Sequence, residues 1–454
     1  MLEMLPLIMF AVACFALMLG YPVAFTLAGV ALLFAGVGVT NGVFDAQFLF
    51  NYPERIFGTM TNTTLIAVPL FIFMGVMLER SKIAEQLLEN MALACGRLPA
   101  GMGISVVLVG ALMAASTGIV GATVVTMGLM SLPTMLKRGY SPALASGVIC
   151  ATGTLGQIIP PSIALVLLGD IISSAHQQAQ LANGVFNAAP VSVGDLFMGA
   201  IVPGLLLVGA YIVYLLVVGI VWPKEAPANT DSARCSSREL ALSILPPIVL
   251  MLLVLGSIIS GKATPTEAAG IGAAAATALA LSRGLLNINM LKEVMYSTTR
   301  VTAMVFAILL GASLFSLVFN GLNGDTLIKN LFQQLPGGTL MAVLVVMLVI
   351  FLLGFILDFI EITFVVVPLV SPVLLQLGVD PIWLGIMIAI NLQTSFLTPP
   401  FGFALFYLRG VAPPELLTSS IYRGVVPFIV IQLLLMALLT MWPSLVTWLP
   451  SLAK

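Results

Sequence analysis

A short pattern that ends in two prolines occurs twice in this chain, each time within a long apolar segment. Residues 151–161 read ATGTLGQIIPP, and residues 390–400 read INLQTSFLTPP. One ungapped register aligns both proline pairs, and the same register aligns three further positions: Pro133 with Pro372, Gly139 with Gly378 and Pro142 with Pro381. Matches at so many Pro and Gly positions in a single register predict an internal repeat.

Proline inside an apolar segment predicts a broken helix, because proline donates no backbone hydrogen bond and clashes with the preceding turn. Within a membrane, backbone freed in this way persists only where it is buried in protein or lines a cavity. Two broken segments in corresponding positions of two halves are the best sequence indication of a transporter's binding site. The repeat therefore predicts two broken helices, over about 142–170 and 382–408.

The composition places the chain in a lipid bilayer. Of its 454 residues, 60% are hydrophobic and only 8% are charged, whereas roughly 25% of residues are charged in a soluble domain. We therefore predict an all-α polytopic membrane protein. A net charge of −1 argues against nucleic acid as a partner.

Two long apolar runs are too long for a single crossing and predict re-entrant hairpins. Residues 98–136 contain no charged side chain, and as one helix they would extend roughly 58 Å across a hydrocarbon core of about 30 Å. Small and polar residues occupy the middle of this run, at 114–123. The second candidate covers about 339–376, with residues 354–363 at its tip.

The chain divides into two halves that we predict to be inverted repeats. Residues 1–222 form the first repeat, 223–239 a hydrophilic cytoplasmic linker, and 240–454 the second repeat. Each half has five predicted crossings and one hairpin, and an odd number of crossings inverts the second half. The positive-inside rule makes the Lys- and Arg-rich side cytoplasmic. The first hairpin then enters from the cytoplasmic side and the second from the periplasmic side, and both termini lie outside.

Three segments together resemble one transporter family over nearly the whole chain: residues 153–162 (GTLGQIIPPS), 354–358 (GFILD) and 391–402 (NLQTSFLTPPFG). The chain resembles the large permease (M) subunit of tripartite ATP-independent periplasmic (TRAP) transporters. The resemblance implies a sodium-driven importer of small carboxylates in a bacterial inner membrane, with Na⁺ as coupling ion and no organic cofactor. It also implies two partners, a small four-helix permease subunit and a periplasmic substrate-binding protein. The implied mechanism is an elevator, in which both hairpins and both broken helices move against a scaffold.

The residues beside the two proline pairs are the predicted sodium ligands. Unwound helices expose carbonyl oxygens and the negative ends of half-helices, which suit a cation. Neutral side-chain oxygens would add to them. The alternative is that each Ser or Thr only satisfies helix contacts. The candidates are Thr152, Gly153, Thr154 and Gly156 in the first half, and Asn391, Gln393, Thr394 and Ser395 in the second.

The hairpin tips supply the predicted substrate contacts. Ser116, Thr117 and Gly118 lie at the first tip, and Asp358 and Glu361 lie at the second. Carboxylates within an apolar run are costly and usually functional. The alternative is that this end of the hairpin reaches solvent.

Other classes of membrane protein lack support in the sequence, and we predict that the chain is not an enzyme. The chain contains no His-Glu-x-x-His protease motif and no Walker loop. One alternative remains open, a stand-alone sodium–dicarboxylate cotransporter of related architecture that needs no binding protein.

Overall fold

The computed structural model describes residues 2–81, 83–95, 98–118, 120–187, 190–228 and 237–452, without the side chains of residues 84, 115–117, 237 and 239. Within these ranges every regular element is helical. In chain order, the α-helices of the first half are α1 (Leu5–Met18), α2 (Val23–Thr40), α3 (Tyr52–Thr61), α4 (Ala67–Arg80), α5 (Ile83–Ala94), α6 (Gly101–Thr117), α7 (Val120–Lys137), α8 (Pro142–Thr154), α9 (Ile163–Ala182) and α10 (Val193–Val221).

The second half follows a similar order of helices. A π-helical turn, Ile362–Val366, joins α16 to α17, so that these two elements form one continuous helix from Phe359 to Gln376. The α-helices are α11 (Ser237–Ile259), α12 (Pro265–Ser282), α13 (Ile288–Gly321), α14 (Gly324–Gln333), α15 (Gly338–Leu353), α16 (Phe359–Glu361), α17 (Val367–Gln376), α18 (Pro381–Leu397), α19 (Phe403–Val411), α20 (Thr418–Met441) and α21 (Ser444–Leu452).

The helices that lead into the two proline pairs start in the same way. A polar N-cap precedes a proline in the first turn, where the missing N–H costs nothing. The Ser141 hydroxyl accepts a hydrogen bond from the Leu144 N–H, and the Asp380 carboxylate accepts one from the Trp383 N–H at 2.8 Å. These local signals fix the starts of α8 and α18 without tertiary contacts.

Several described helices are long and apolar enough to cross a membrane. A further pair, Ala46–Thr61 and Thr64–Arg80, passes the same test together but is bent by 57° at its break. The all-α polytopic fold is thereby confirmed. The single helices are Val23–Thr40, Val120–Lys137, Val193–Val221, Leu240–Ile259, Ile288–Gly321, Phe359–Gln376 and Thr418–Met441.

Two groups of helices pack among themselves. In one group α2, α4, α12 and α13 pack together through α2–α13, α4–α12 and α4–α13 contacts. In the other, α8 packs on α6, α7 and α20, and α9 packs on α17 and α18. Backbone touches backbone where α8 crosses α20, because a Cβ added to Gly147 would collide with the carbonyl of Gly424.

Helix pairs and helix breaks occur in the segments predicted as hairpins and broken helices, with some boundaries moved, while the re-entrant course of the hairpins stays a prediction. Both hairpins are helix pairs that turn at Gly118 and at residues 354–358. The first broken helix is longer than predicted, because α9 continues through the polar residues after 170 to Ala182. The second half begins earlier, since α11 starts at Ser237, while linker residues 229–236 lie outside the described residues. The inversion of one half relative to the other stays a prediction.

Candidate substrate and cation site

The tips of the two hairpins and the breaks of the two broken helices meet at one cavity of about 170 Å³, which we call the central cavity. Gly118 lines it from the first tip and Asp358 from the second. Gly118 has a left-handed backbone (φ 62°), and a Cβ there would lie 3.1 Å from the Ile163 backbone nitrogen. Glycine therefore allows the first tip to lie directly on the start of α9.

Four helices begin at the central cavity. The first residues of α7, α9, α16 and α19 all line it, and these are Val120, Ile163, Phe359 and Phe403. The first N–H groups of a helix have no partner within the helix and carry a partial positive charge. Among the residues that the structure describes, no side chain caps α9 or α19. Helix N-termini that converge on one cavity form a favourable environment for an anion, above all where no side chain caps them.

The two acidic candidates at the second tip have different positions. Asp358 lines the central cavity, and its carboxylate accepts a hydrogen bond from the Phe359 N–H at 2.8 Å. Glu361 is not among the lining residues, and its carboxylate accepts from the Asp358 N–H at 3.1 Å. Together they form a capping box at the start of α16. In the described part of the chain, no Lys or Arg side chain lies within salt-bridge distance of either carboxylate.

Gln157 is a cavity residue that the sequence analysis did not single out. Its side chain is 2% exposed and lines the central cavity, and its Oε1 has no hydrogen-bond partner among the described residues. A buried amide oxygen without a partner is costly unless a ligand or water binds it. The sequence signal was the position of this polar residue, three residues before Pro160 in an otherwise apolar turn.

The hydroxyl groups predicted to bind sodium lie on helix rather than on unwound backbone. Thr152 and Thr154 belong to α8, and Thr394 and Ser395 belong to α18. The irregular backbone comes later, after a 3₁₀ turn at Leu155–Gln157 and after Leu397. Each proline lacks the N–H that would bond the carbonyl four residues earlier, so the helix before that carbonyl stays intact.

All four hydroxyls donate hydrogen bonds to carbonyls of their own helices. Thr152 donates to Val148 at 2.7 Å and Thr154 to Ala151 at 2.8 Å, while Thr394 donates to Ile390 and Ser395 to Leu392, both at 2.8 Å. A hydroxyl that donates still has lone pairs that can accept. The oxygens therefore remain chemically able to bind a cation.

Helix C-termini come close together beside these hydroxyls. A Cβ on Gly156 would lie 3.2 Å from the Ala114 carbonyl oxygen in the last turn of α6. A Cβ on Gly354, which follows α15, would collide with the Ser395 Oγ. The end of α6 thus meets the end of α8, and the end of α15 meets the end of α18. Paired C-termini carry partial negative charge and favour cations.

The remaining candidates are placed as follows. Gly153 packs tightly on α7, since a Cβ there would collide with the Val124 side chain. Asn391 donates a hydrogen bond to the Met347 carbonyl at 2.7 Å and so joins α18 to α15, and Gln393 is fully buried. The side chains of Ser116 and Thr117 lie outside the described residues. Within the described ranges, no group of His, Cys, Asp and Glu side chains is arranged to hold a metal ion.

Comparison with known proteins decides the family. The family model described as "Tripartite ATP-independent periplasmic transporter, DctM component" matches residues 7–445. This chain belongs to the DctM family. The predicted family resemblance is therefore confirmed. The DctM protein described as a C4-dicarboxylate TRAP transporter large permease of Pseudomonas aeruginosa is 31% identical over 402 residues, covering 87% of this chain and 88% of that protein.

Other DctM-family relatives carry different substrates in their names. The sialic acid TRAP large permease SiaM of Vibrio cholerae is 27% identical, with 95% of each chain covered. The ectoine TRAP large permease TeaC of Halomonas elongata is 28% identical, covering 98% of this chain and 99% of that protein. These relatives are transporter permeases rather than enzymes.

Two solved transporters share the fold of this DctM-family chain. The crystal structure of the YdaH transporter of Alcanivorax borkumensis has a TM-score of 0.62 at 16% identity and covers 88% of this chain and 90% of that one. MtrF of Neisseria gonorrhoeae has a TM-score of 0.58 at 13% identity, with coverages of 87% and 84%. At these identities the likeness concerns the fold alone.

Proposed function

We propose that this chain is the large permease subunit of a sodium-driven, binding-protein-dependent secondary importer of small carboxylates. The observation that carries the proposal is the central cavity, which four helix N-termini and both hairpin tips surround. Helix N-termini favour the negative charge of a carboxylate. Secondary transporters use such half-helix starts for anionic substrate groups near the midplane of the bilayer.

Sodium coupling is supported by the helix C-termini that meet beside the central cavity. The C-terminal ends of α6 and α8 meet on one side, those of α15 and α18 on the other, and neutral hydroxyls lie in the last turns of α8 and α18. Carbonyl and hydroxyl oxygens hold a monovalent cation without adding full charge. Because α8 and α18 each end where the next helix begins at the central cavity, a bound cation would lie next to the substrate and stabilise it.

We assign the moving part of an elevator to the hairpins and broken helices, and the scaffold to the group α2, α4, α12 and α13. The support is that α2, α4, α12 and α13 pack mainly on one another, whereas the hairpins and broken helices pack mainly on one another and on α20. We place the chain in a bacterial inner membrane, as an inverted repeat with its Lys- and Arg-rich side cytoplasmic. Its partners are a small four-helix subunit and a periplasmic substrate-binding protein, in keeping with the family.

Reconstitution with defined components tests this function. The chain alone in liposomes with an inward sodium gradient is expected to take up little [¹⁴C]succinate. Uptake is expected once the small subunit and a succinate-loaded binding protein are added, and replacing external sodium with potassium is expected to abolish it. Robust sodium-dependent uptake by the chain alone would instead identify a stand-alone cotransporter, and uptake that ignores sodium would disprove the coupling.

A further inference from the structure

A second cavity, polar and about 440 Å³ in volume, lies between α3, α9, α13 and α17. We call it the Arg55 cavity after the one basic residue among its lining. The lining side chains on which the argument depends are Arg55, Asp170, Ser174, Ser313, Ser316 and Asn320. A charged side chain in an apolar, membrane-spanning fold is costly and by default indicates function.

The Arg55 cavity lies next to the central cavity along the same helices. Helices α9, α13 and the continuous α16–α17 helix line both cavities. On each helix the step from one cavity to the other is a single turn, about 5 Å. The residues that mark this step are Leu167 and Asp170 on α9, Val305 and Leu309 on α13, and Ile360 and Phe364 on α16–α17.

Contacts with α13 hold Arg55 in place but leave most of its donors available. One turn before it, the Tyr52 hydroxyl donates to the Leu310 carbonyl at 3.1 Å and fixes α3 on α13. The Arg55 Nη1 donates to the Ser313 carbonyl at 3.4 Å, and the described residues supply it with no other hydrogen bond and no carboxylate within salt-bridge distance. A guanidinium has five N–H donors in a fork that matches a carboxylate.

Among the described lining residues, the one carboxylate already has a hydrogen-bond partner. Asp170 accepts a hydrogen bond from the Asn62 Nδ2 at 2.9 Å. The other polar lining groups are neutral hydroxyls and amides, such as Ser174, Ser316 and Asn320. Asp170 keeps its negative charge and further acceptor sites, so among the described lining residues Arg55 is the group that can bind an anion.

We propose that the Arg55 cavity is a second, anion-selective binding site, in which Arg55 binds a carboxylate of the substrate on its way to the central cavity. The paired N–H groups of the guanidinium would bind the two carboxylate oxygens side by side. The cavity's hydroxyls and amides would contact the rest of a small polar molecule. The role in transport rests on the proposed function, but the preference for anions does not.

Thiol labelling tests the preference for anions without any substrate. Cys14, Cys95, Cys150 and Cys235 are replaced, and Ser316→Cys places one thiol in the cavity wall. The labelling rates of an anionic and a cationic methanethiosulfonate reagent are then compared on the full chain in liposomes. Arg55→Gln is expected to lower the anionic-to-cationic rate ratio by about tenfold, since a charged cleft concentrates oppositely charged solutes.

Two matched variants control for shape and folding. Arg55→Lys keeps the charge and is expected to keep the ratio near its original value. Asp170→Asn removes the opposite charge at almost constant shape and is expected to raise the ratio. The proposal is overturned if Arg55→Gln, eluting normally by size exclusion, leaves the ratio unchanged, whatever the transport result.

Uptake by the complete complex tests the role in transport. With the small subunit, succinate-loaded binding protein and [¹⁴C]succinate as probe, Arg55→Gln is expected to lower the initial rate about tenfold, with half-saturating sodium unchanged. Arg55→Lys is expected to give an initial rate between those of the unsubstituted complex and Arg55→Gln, because lysine keeps the positive charge but loses the paired N–H donors of the guanidinium. Unchanged uptake overturns the transport role. If the unsubstituted complex transports no succinate, the proposed function fails for this substrate, and the labelling ratio alone then supports or overturns anion binding.

Discussion

At the scale of single residues, the candidate cation ligands could equally be packing residues, because each hydroxyl already bonds its own helix. Replacing Thr154 with valine separates the two roles, since valine keeps the branched shape at this fully buried position and removes only the oxygen. If that oxygen binds sodium, the half-saturating sodium concentration of uptake is expected to rise about tenfold, equivalent to about 1.4 kcal/mol. Ser395→Ala is expected to act in the same direction through α18.

Ser146→Ala is the matched control for these two variants. Ser146 is a buried serine of the same helix whose hydroxyl donates to the Pro142 carbonyl at 2.7 Å, two turns from the break. It is expected to leave the sodium dependence unchanged. Normal sodium dependence in Thr154→Val and Ser395→Ala alike would show that these hydroxyls only pack, and that the cation binds elsewhere.

Asp358 combines a structural and a proposed functional role that substitution can separate. Asparagine keeps an oxygen for the Phe359 N–H, whereas alanine leaves this helix start uncapped at a cost of about 1 kcal/mol. Thermal unfolding in detergent is expected to show a lower midpoint for Asp358→Ala than for Asp358→Asn. Because Asp358 lines the central cavity, both variants are expected to lower succinate uptake. Wild-type uptake by Asp358→Asn would show that the carboxylate serves only as a cap.

At the scale of helices, the sequence predicted which segments break, and the structure places the irregular backbone after the candidate hydroxyls of α8 and α18. Pro160 cannot donate to the carbonyl of residue 156, and Pro399 cannot donate to that of residue 395, so each helix continues up to these carbonyls. The extension of α9 to Ala182 was missed because polar residues after 170 were interpreted as a loop. The Arg55 cavity was not predictable, since its lining comes from distant helices. Gln157 was missed although its position before Pro160, in an otherwise apolar turn, was a visible signal.

The crossing of α8 and α20 allows a prediction about packing. A Cβ on Gly424 would collide with the carbonyl of Ala143, as one on Gly147 would with Gly424, and backbone cannot rotate away as a side chain can. Gly147→Ala and Gly424→Ala are each expected to destabilise the protein by about 1–3 kcal/mol, as overpacking does. Thermal unfolding in detergent measures this. Gly209→Ala on α10, with no atom within 4 Å of the added Cβ, is the control and is expected to unfold normally.

At the scale of the whole molecule, the proposed topology places the loops at the two ends of α10 on opposite sides of the membrane. Phe186, between α9 and α10, and Lys224, after α10, are both exposed. In a cysteine-free background, Phe186→Cys is expected to react with an impermeant thiol reagent from the periplasm and Lys224→Cys only after the cells are opened. Labelling of both from the periplasm would contradict the proposed topology.

The proposed elevator also requires that the hydrogen bond between Asn62 and Asp170 breaks in every cycle. Asn62 follows α3, which packs on α13 of the scaffold, while Asp170 lies on α9 in the moving part. A cross-link between cysteines at these two positions would hold the two parts at one position. A short bifunctional thiol reagent is therefore expected to abolish uptake by the doubly substituted complex, and a cleavable version to restore uptake after reduction.

Each single-cysteine variant shows how much uptake the substitutions alone remove, and only the further loss in the doubly substituted complex counts. A second cross-linked pair controls for the reagent. Thr339 and Leu377 lie at the two ends of one hairpin, where the Thr339 hydroxyl donates to the Leu377 carbonyl at 3.4 Å. Because the whole hairpin moves as one body in an elevator, a link between these two positions is expected to leave uptake intact.

If the link between positions 62 and 170 forms completely and uptake continues, the boundary drawn between scaffold and moving part is wrong.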